Sequence, residues 1–411
     1  MRSEFARTLL FVAGALALVV TAASFSPETA SSEIFSDTGE EFFPGFRDAS
    51  KVAAIEVVDY DETEAVARPL KVELRKGRYV ITSHGDYPAE AKQQMASTAA
   101  ALVDLKKEAP VSDRWEDQAS YSVIDPLDAK NASLTGRGKR VTLRDAGGLK
   151  LAEIVLGNKV KEKEGYRYAR LPGQKRTYEV KTAADPSAEF ADWVEANLLR
   201  VRAADILKLT LNSYQIDEQF GRIANLQRMV MARDGGTWSA QANAIANTMA
   251  SLRVVGARPK PPELAEQLKK KRLELTLDTV MSLRQRGYFI APTGMLLSNE
   301  GELLADTSKG LTYVLRFGEV VTDSTSAAGA AKPRENRYLF VTVSAKDPGV
   351  QAQADALDAK FADWYYVIRG EDFARLHPAP AKTRQEQPRI ETMPPVRLPP
   401  PPPANSPEAA P

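Results

Sequence analysis

Apolar residues recur with helical spacing in two segments that lie 150 positions apart in the sequence. Met95, Ala99 and Leu102 occupy positions i, i+4 and i+7 of the first segment, and the same spacing returns from Ile245 to Leu252. Residues with this spacing share one face of an α-helix. The pattern therefore predicts two helices at matching positions of an internal repeat.

Shorter stretches alternate apolar and polar residues or carry β-branched residues. RVTLRD at 140–145, KLAEIVLG at 150–157 and TYEVKT at 177–182 follow one another closely, with turn residues between them. Strands this close in sequence pair antiparallel through short turns. The dipeptide Gly148-Leu149 recurs 162 residues later as Gly310-Leu311, again at the start of a predicted strand.

The tetrapeptide FADW occurs twice, at Phe190–Trp193 and at Phe361–Trp364. Asp-Pro pairs at 185–186 and 347–348 precede the two copies and suit the N-cap and first position of a helix. In the second copy an apolar stripe continues from Leu357 to Ile368 at helical spacing. We therefore predict a closing helix in each half, with Phe and Trp in the core and the intervening aspartate in solvent.

The predicted fold class is α+β, with two tandem pseudo-symmetric repeats of hairpin, helix, antiparallel strands and closing helix. The first repeat covers residues 70–212 and the second covers 222–376. Glycine turns within 72–82 and 230–240 predict the two hairpins. The charged, proline-containing stretch 259–274 is expected to be a surface excursion. Two separate domains and one pseudo-symmetric body both fit this pattern.

The N-terminal segment is typical of a membrane anchor or a signal segment. Residues 8–27 carry no charge over 20 positions, and a helix of that length spans about 30 Å, the thickness of a bilayer core. Arg2 and Arg7 precede the segment and acidic residues follow it, which places the N-terminus in the cytoplasm and the body outside. We predict a single-pass cell-membrane protein with an extracytoplasmic (periplasmic) body. Residues 1–27 are then the anchor or signal segment, and 28–69 are an extracytoplasmic lead-in.

The C-terminal segment, residues 377–411, is dense in proline and contains no aromatic residue. Such a segment cannot bury enough apolar surface to fold, so we predict a disordered tail that samples polyproline II. A solvated tail and a docking site for a partner's aromatic groove are both compatible with its composition.

Composition excludes several classes of chemistry. The 411-residue chain has no cysteine and only two histidines, His84 and His377. Disulfides, thiolate catalysis and multi-histidine metal sites are therefore excluded, and a Ser-His-Asp triad could use only His84. The net charge of +1 gives no general attraction to nucleic acid. We expect no enzyme activity, cofactor, metal site or nucleic-acid partner, and we assign no catalytic or ligand-binding residue.

Three short motifs have both a chemical and a structural interpretation. LTGRGKR at 134–140 contains glycines as a phosphate loop does, but Arg140 stands where a P-loop has Ser or Thr, so a basic turn is favoured. SHGDYP at 83–88 holds His84, but residues this close cannot converge as a triad, and its proline suits a helix start. DYDETE at 59–64 lacks the glycine of a calcium loop and is interpreted as a solvated linker between early strands.

Four aromatic residues, Trp115, Trp238, Tyr87 and Tyr121, could line a groove. Packing in the core or at a sheet edge is the simpler interpretation of the same residues.

Several stretches together resemble a known family. FFPGFRDASKVAAIEVVDYDE, SHGDYPAEAKQQM, VIDPLDA, LTGRGKRVTLRDAGG and FADWYYVI occur in this order and are similar to the bacterial domain-of-unknown-function 4340 family, in its long members with one anchor. The likeness covers Phe42 to Leu376. The family has no established activity, so the resemblance carries over no catalytic residue. It implies an association with gliding-type ABC transporters.

Hypotheses from different classes remain open. The first is a membrane-anchored accessory protein of an ABC-type envelope transport or gliding-type complex, which binds a membrane subunit through a protein interface such as a groove between the halves. The alternative is a carboxylate-based envelope enzyme or a cell-envelope polymer binder, because a two-carboxylate glycosidase needs neither His nor Cys. A deep pocket with two facing carboxylates, one of raised pKa, would favour that alternative. A third hypothesis is a structural spacer.

Overall fold

Two antiparallel β-sheets form the frame of the protein. The computed structural model describes residues 37–217, 222–233, 236–274, 276–321 and 335–378. The predicted anchor at 1–27 lies outside the described residues, as does the predicted tail beyond its first two residues.

Nine strands build the first sheet: β1 (Ala54–Asp61), β2 (Val66–Arg75), β3 (Arg78–Ile81), β4 (Tyr87–Pro88), β5 (Ala109–Ser112), β6 (Lys139–Arg144), β7 (Lys150–Lys159), β8 (Tyr166–Arg170) and β9 (Thr177–Lys181). Their order across the sheet is β4-β3-β2-β1-β6-β7-β8-β9-β5. Neighbouring strands run antiparallel.

The remaining strands are β10 (Ile206–Asp217), β11 (Arg222–Ala232), β12 (Gly256–Pro259), β13 (Tyr288–Ile290), β14 (Leu296–Ser298), β15 (Glu302–Thr307), β16 (Leu311–Val320), β17 (Arg337–Ala345) and β18 (Trp364–Ile368). Seven of them form the second sheet, in the order β11-β10-β15-β16-β17-β18-β12, again antiparallel. Strands β13 and β14 pair only with each other. Below, the first half means the described residues up to 205, and the second half those from 206 onward.

Six α-helices occur among the described residues: α1 (Lys92–Leu102), α2 (Ala240–Ala250), α3 (Pro262–Lys269), α4 (Leu277–Arg284), α5 (Gln351–Ala362) and α6 (Gly370–Leu376). Helix α1 buries Met95, Thr98, Ala99 and Leu102, the predicted apolar face. Helix α2 begins after Ser239, whose side chain accepts a hydrogen bond from the N–H of residue 242. Both predicted helices, and the α+β class with antiparallel pairing, are confirmed.

The two sheets bury their inner faces in one core. A single cluster of buried side chains includes inner-face residues of both sheets, the apolar faces of α1 and α2, and Phe190 and Trp193 from the connection between the halves. The described residues up to His377 belong to one compact unit. The protein thus depends on one shared hydrophobic core rather than on two separate ones.

Seven strands of the first sheet occur in the same spatial order as the seven strands of the second. The order β2-β1-β6-β7-β8-β9-β5 matches β11-β10-β15-β16-β17-β18-β12, strand by strand. Helices α1 and α2 precede β5 and β12, which take the same place at the end of each sheet. The predicted repeat boundaries differ from this correspondence, because residue 70 falls within β2 and residue 212 within β10.

Local geometry is also shared at the ends of β7 and β16. Each strand has a break in register with its neighbour, after Leu156 in one and after Phe317 in the other. A Cβ added to Gly157 would lie 2.3 Å from a backbone oxygen, and one added to Gly318 would lie 2.2 Å from another. In both halves the residue after the glycine donates its N–H to that same oxygen, at 3.1 and 3.0 Å. Only glycine allows this close backbone approach.

One of the two predicted hairpins is present. Strands β2 and β3 pair directly through Lys76 and Gly77, both with positive φ, as a two-residue hairpin turn requires. For the hairpin predicted over 230–240, the described residues show no second strand between the end of β11 at Ala232 and the start of α2 at Ala240. Residues 234–235 of that stretch lie outside the described residues.

The closing helix is wrong for the first half. Phe190–Asp192 form one 3-10 turn, since Trp193 donates its indole N–H to the carbonyl of Ser187 and the Ser187 hydroxyl bonds Asp192. Such local side-chain bonds compete with a helix.

In the second half α5 ends at Ala362, and the residues from Trp364 form β18, so the predicted helical stripe stops at Phe361. Strands β9 and β18 take the same place in the two sheets. One FADW copy follows β9, whereas the other lies before and at the start of β18. The two copies are therefore not equivalent in the fold.

The core role predicted for FADW is largely confirmed. Phe190, Trp193 and Phe361 are buried, whereas Trp364 is partly buried against the core. Each intervening aspartate is 43% exposed and forms an ion pair, with Arg253 in one copy and Lys269 in the other. The prediction that these carboxylates face solvent is confirmed only in part.

The surface excursion expected over 259–274 is confirmed in part, since most of its residues are exposed but the stretch also packs against the second sheet. This stretch contains α3, which with α4 covers the outer face of the second sheet. A separate cluster forms there from Leu264, Leu283, Tyr288, Phe340 and Tyr365. Phe340 and Tyr365 lie in β17 and β18, where neighbouring residues face the main core, because side chains alternate along a strand.

The two FADW tryptophans should differ in their contribution to stability. Trp193 is 0% exposed and its indole N–H is satisfied, so Trp193→Ala should lower the free energy of unfolding by about 3–5 kcal/mol. Trp364→Ala, at a partly buried position, should cost less than half of that. Urea denaturation of both variants measures the difference. Equal losses would contradict the non-equivalence of the two copies.

The shared glycine geometry predicts matching losses in both halves. Gly157→Ala and Gly318→Ala should each destabilise the protein by about 1–3 kcal/mol, because the new methyl group would overlap a backbone oxygen. Gly349→Ala is the control, since nothing lies within 4 Å of a Cβ built there, and it should change stability by less than about 0.5 kcal/mol. Thermal unfolding followed by circular dichroism tests this, and an unaffected Gly157→Ala would contradict it.

Candidate functional site

The SHGDYP segment does not assemble a triad. The Ser83 hydroxyl lies 3.0 Å from Nδ1 of His84, but the Asp86 carboxylate accepts hydrogen bonds from Arg75 at 2.8 and 2.9 Å. The predicted helix start is wrong, because Tyr87 and Pro88 form β4 and α1 begins only at Lys92. The segment leads from β3 into β4 and includes both residues of β4.

The LTGRGKR segment contributes one guanidinium group, around which the preceding loop at 125–133 folds. Arg137 donates hydrogen bonds to backbone carbonyls of the loop at distances from 2.6 to 3.4 Å. Strand β6 then begins at Lys139. The interpretation as a basic turn before a strand is confirmed.

The acidic run DYDETE ends β1 and leads into β2, so the interpretation as a solvated linker between early strands is confirmed in part: residues 59–61 belong to β1, and Glu64 is 4% exposed. Asp61 accepts hydrogen bonds from the N–H groups of Thr63 and Glu64, and Arg68 forms an ion pair with Asp61 at 3.3 Å. Within the part of the chain that the structure describes, no group of three or more His, Cys, Asp or Glu side chains could hold a metal ion.

The four aromatic residues proposed for a groove pack against different neighbours. Tyr87 contacts Phe190 and residues of β18, and Tyr121 contacts Tyr168 at 4.7 Å between ring centroids. Trp115 lies beside Arg170 in the first half and Trp238 beside Arg233 in the second. Packing against separate neighbours is therefore the interpretation that the contacts favour.

His377, which the sequence places at the start of the tail, belongs to the folded body. Its Nε2 lies 3.0 Å from the hydroxyl of Ser213 on β10, and its ring stacks on Phe373 of α6. Burial lowers the pKa of His377. The carboxylate with the largest influence on it, Glu300, is ion-paired with Arg337 at 3.1 Å. We interpret this serine–histidine pair as the contact that closes the fold at its C-terminal end.

A buried lysine is the most unusual ionisable group of the second half. Lys260 follows β12 and is 4% exposed. Its Nζ donates hydrogen bonds to the carbonyls of Phe361 at 3.0 Å and Trp364 at 2.7 Å, at the end of α5. The ammonium also lies 4.0 Å from the centre of the Phe340 ring. The lysine therefore joins the end of α5 to the start of β18, and it shares the Phe361 carbonyl with the N–H of Asp363.

Lys260 borders an open cavity of about 590 Å³ between the start of α3 and the residues of α4 and just beyond it. Burial lowers the pKa of Lys260 to about 7, against the attraction of Asp363 and Asp358. A neutral lysine amine is a nucleophile or a general base. Here, however, the amine is directed at two carbonyls and two aromatic rings, so we interpret its role as structural.

The carboxylates of raised pKa do not face each other across a cavity. Burial raises the pKa of Asp358 and that of Asp372. Neither lines the cavity beside Lys260, nor the second cavity, about 370 Å³, below α5. Each of these two cavities is lined by a single carboxylate, Asp278 in one and Asp205 in the other. The carboxylate-based alternative thus has no paired acid at either place.

The outer strand of the second sheet is the most extensive candidate for an interface. Strand β11 is 11 residues long and lies at the sheet edge. Its Met229 and Met231 pack against the core, whereas Leu226 and Val230 are 47% and 55% exposed. Such an edge presents backbone groups that can pair with another strand.

The matching strand of the first sheet is covered. Strand β2 pairs with β3 along Val72–Arg75, and β4 extends the sheet beyond β3. The second sheet has no such strand beyond β11 among the described residues. Neither this edge nor Lys260 was identified from the sequence. An open sheet edge and a buried charge depend on tertiary packing and have no local sequence motif.

Among the described residues no helix is long and apolar enough to cross a membrane. The predicted membrane segment at 8–27 lies outside them and stays a prediction.

The family model described as Domain of unknown function (DUF4340) matches residues 80–289, just over half of the chain. The chain belongs to this family. The matched region begins in β3 and ends in β13, so it includes both helices of the apolar repeat and the stretch that carries Lys260. No curated protein and no solved structure matches the chain.

The buried lysine predicts a pH dependence of stability. Its pKa is about 7 in the folded protein and about 10.4 in an unfolded chain. Between these values the unfolded state binds more protons, so the free energy of unfolding should rise by about 2 kcal/mol from pH 7 to pH 9. Urea denaturation at several pH values measures this rise.

Lys260→Met should abolish that rise, because it removes the titrating group. Lys269→Met is the matched control, since Lys269 is a more exposed lysine whose pKa is raised by its ion pair with Asp363. It should keep the rise. Parallel curves for wild type and Lys260→Met would show that another group is responsible.

Proposed function

We propose that this member of the DUF4340 family is a membrane-anchored, extracytoplasmic accessory protein that acts through a protein interface. Its partner is the membrane subunit of an ABC-type envelope transport or gliding-type complex. The uncharged segment at 8–27, with arginines before it and acidic residues after it, supports the membrane location. The open edge of the second sheet carries the proposal of an interface.

The edge strand β11 suits strand addition by an extended segment of the partner. Its 11 residues offer backbone donors and acceptors over roughly 35 Å, at about 3.3 Å per residue. Leu226 and Val230 add exposed apolar side chains beside these backbone groups. Main-chain hydrogen bonds would supply affinity, and side-chain contacts would supply specificity.

The charge of β11 indicates the chemistry of the partner segment. The strand RIANLQRMVMA contains two arginines and no carboxylate. Arg222 lies 3.3 Å from Asp217, whereas Arg228 is hydrogen-bonded to the amide oxygen of Asn212. A carboxylate on the partner would neutralise Arg228, and apolar side chains would contact the exposed apolar residues of β11. We therefore propose an extended partner segment that carries apolar residues and a carboxylate.

We also propose that the two halves are pseudo-symmetric copies of one unit. The matching order of seven strands and the shared glycine contacts of Gly157 and Gly318 support this. Arg167 and Arg337 add a further match, since each donates a hydrogen bond to the carbonyl of its glycine. In this proposal the first copy has a covered edge and the second keeps an open edge for binding.

Charges placed on the open edge should prevent binding of the partner. In the variant with both Leu226→Lys and Val230→Lys, recovery of an ABC-type membrane subunit with the full chain from detergent-solubilised membranes should fall at least about tenfold. Lysine on an edge strand opposes pairing with another strand. Quantitative mass spectrometry of the affinity-purified material measures the recovery.

Leu74→Lys is the matched control, because Leu74 is 44% exposed but lies on β2, whose edge β3 covers. It should leave recovery unchanged. Unchanged recovery with the double variant would show that β11 is not the contact. Failure of the wild-type chain to recover any ABC-type membrane subunit would overturn the assignment to a transport complex.

A further inference from the structure

The second cavity has an apolar wall inside the fold. It has a volume of about 370 Å³ and lies between α5, the inner face of the second sheet and the connection before β10. Val201, Leu311 and Tyr313 are each less than 5% exposed and line it, together with the half-buried Leu357 of α5. A volume in this range is typical of sites for small organic ligands.

The rim of this cavity carries an excess of positive charge. Its lining contains Arg200, Lys309 and Lys360 but a single carboxylate, Asp205. Asp205 is already bonded by Arg202 through two hydrogen bonds of 2.9 and 2.7 Å. Glu195, outside the lining, pairs with both Arg200 and Lys360. The lining itself therefore has three cations and one carboxylate, a net charge of +2. The net charge of the whole chain is only +1.

Lys309 is the rim cation with the weakest ion pair. Its Nζ lies 3.7 Å from Asp205 and its side chain is 54% exposed. Because Arg202 satisfies the same carboxylate at shorter distance, Lys309 can turn to an added anion at little cost.

Tyr313 supplies a polar group within the apolar wall. The residue is 4% exposed, and its hydroxyl has no hydrogen-bond partner among the described residues. The hydroxyl oxygen itself is not among the buried side-chain atoms that lack a partner, so it is accessible to solvent or to a ligand. A water molecule would satisfy the hydroxyl but not the apolar wall, whereas a ligand with one polar end and an apolar body satisfies both.

We propose that this cavity binds an anionic amphiphile, a molecule with one carboxylate or phosphate and a short apolar body. The anion contacts Lys309 and the hydroxyl of Tyr313, and the apolar body lies against Val201, Leu311 and Leu357. None of these residues belongs to β11, so the site is separate from the proposed protein interface. A carboxylate and a phosphate head group would make the same contacts. Probes that carry one or the other distinguish between them.

Calorimetric titration of the full chain with octanoate and with octyl phosphate tests the site. Each should bind saturably at one site per chain, and octanol, which has the same body without the charge, should bind at least about tenfold more weakly. Tyr313→Phe should weaken binding of the anions about tenfold, and Lys309→Ala about two- to fivefold. The tighter of the two anions identifies the head group.

Two controls separate this site from general effects. Tyr338→Phe removes a hydroxyl that does not line the cavity, and Lys346→Ala removes an exposed lysine paired with Asp306. Both should bind the probes as wild type does, and thermal unfolding should show that all four variants fold. Equal binding of octanol and octanoate, or wild-type affinity in both Tyr313→Phe and Lys309→Ala, would overturn the proposal. Absence of saturable binding to the wild-type chain would overturn it as well.

Discussion

Tyr87 makes the contacts on which the arrangement of the two sheets depends. It lies on β4, at the edge of the first sheet, and its ring packs against Phe190 and against Trp364 of the second sheet at 5.2 and 4.8 Å. Its hydroxyl is hydrogen-bonded to Tyr366, and burial raises the pKa of Tyr87 to about 12. Nearby, Gly85 approaches Pro259 so closely that a Cβ would lie 2.8 Å from the proline ring. Because these contacts join one sheet edge to two strands of the other sheet, both inner faces share one core.

Strands β3 and β4 also explain why the two sheets, which share the order of seven strands, differ at the edge formed by β2 in one and β11 in the other. In the first half, the chain after β2 continues through β3 and β4. Strand β3 covers the edge of β2, and β4 brings Tyr87 to the second sheet. In the second half, the described residues between β11 and α2 add no strand beyond β11. The additional strands of the first half therefore do two things, since they protect one edge and build the contact between the halves. The unprotected edge is the surface that we assign to a partner.

Each half also buries one cation that bonds to backbone carbonyls instead of to a carboxylate. Arg170, 2% exposed, donates hydrogen bonds to the carbonyls of Val123 and Gln174, and Lys260 donates to those of Phe361 and Trp364. The carbonyls of Val123 and Gln174 lie in loops of the first half, whereas those of Phe361 and Trp364 lie at the end of α5 and the start of β18. Burial lowers the pKa of both side chains. These cations satisfy the irregular backbone that covers the outer faces of the sheets, which is a structural reason to keep a buried charge.

The local sequence pattern correctly predicted those elements whose structure depends on the periodicity of a single segment. The apolar faces of α1 and α2, the β2–β3 turn at Lys76-Gly77 and the strands that start after Gly148 and Gly310 all follow from the sequence, because spacing and turn chemistry act over a few residues. The identical FADW motifs were misleading, since one copy is a 3-10 turn held by Ser187 and the other ends a helix and starts a strand. The open edge of β11, the burial of Lys260 and the cavity beside Tyr313 depend on which segments pack together. Burial, edge exposure and enclosed volume are properties of contacts between residues far apart in the chain, so only the tertiary structure decided them.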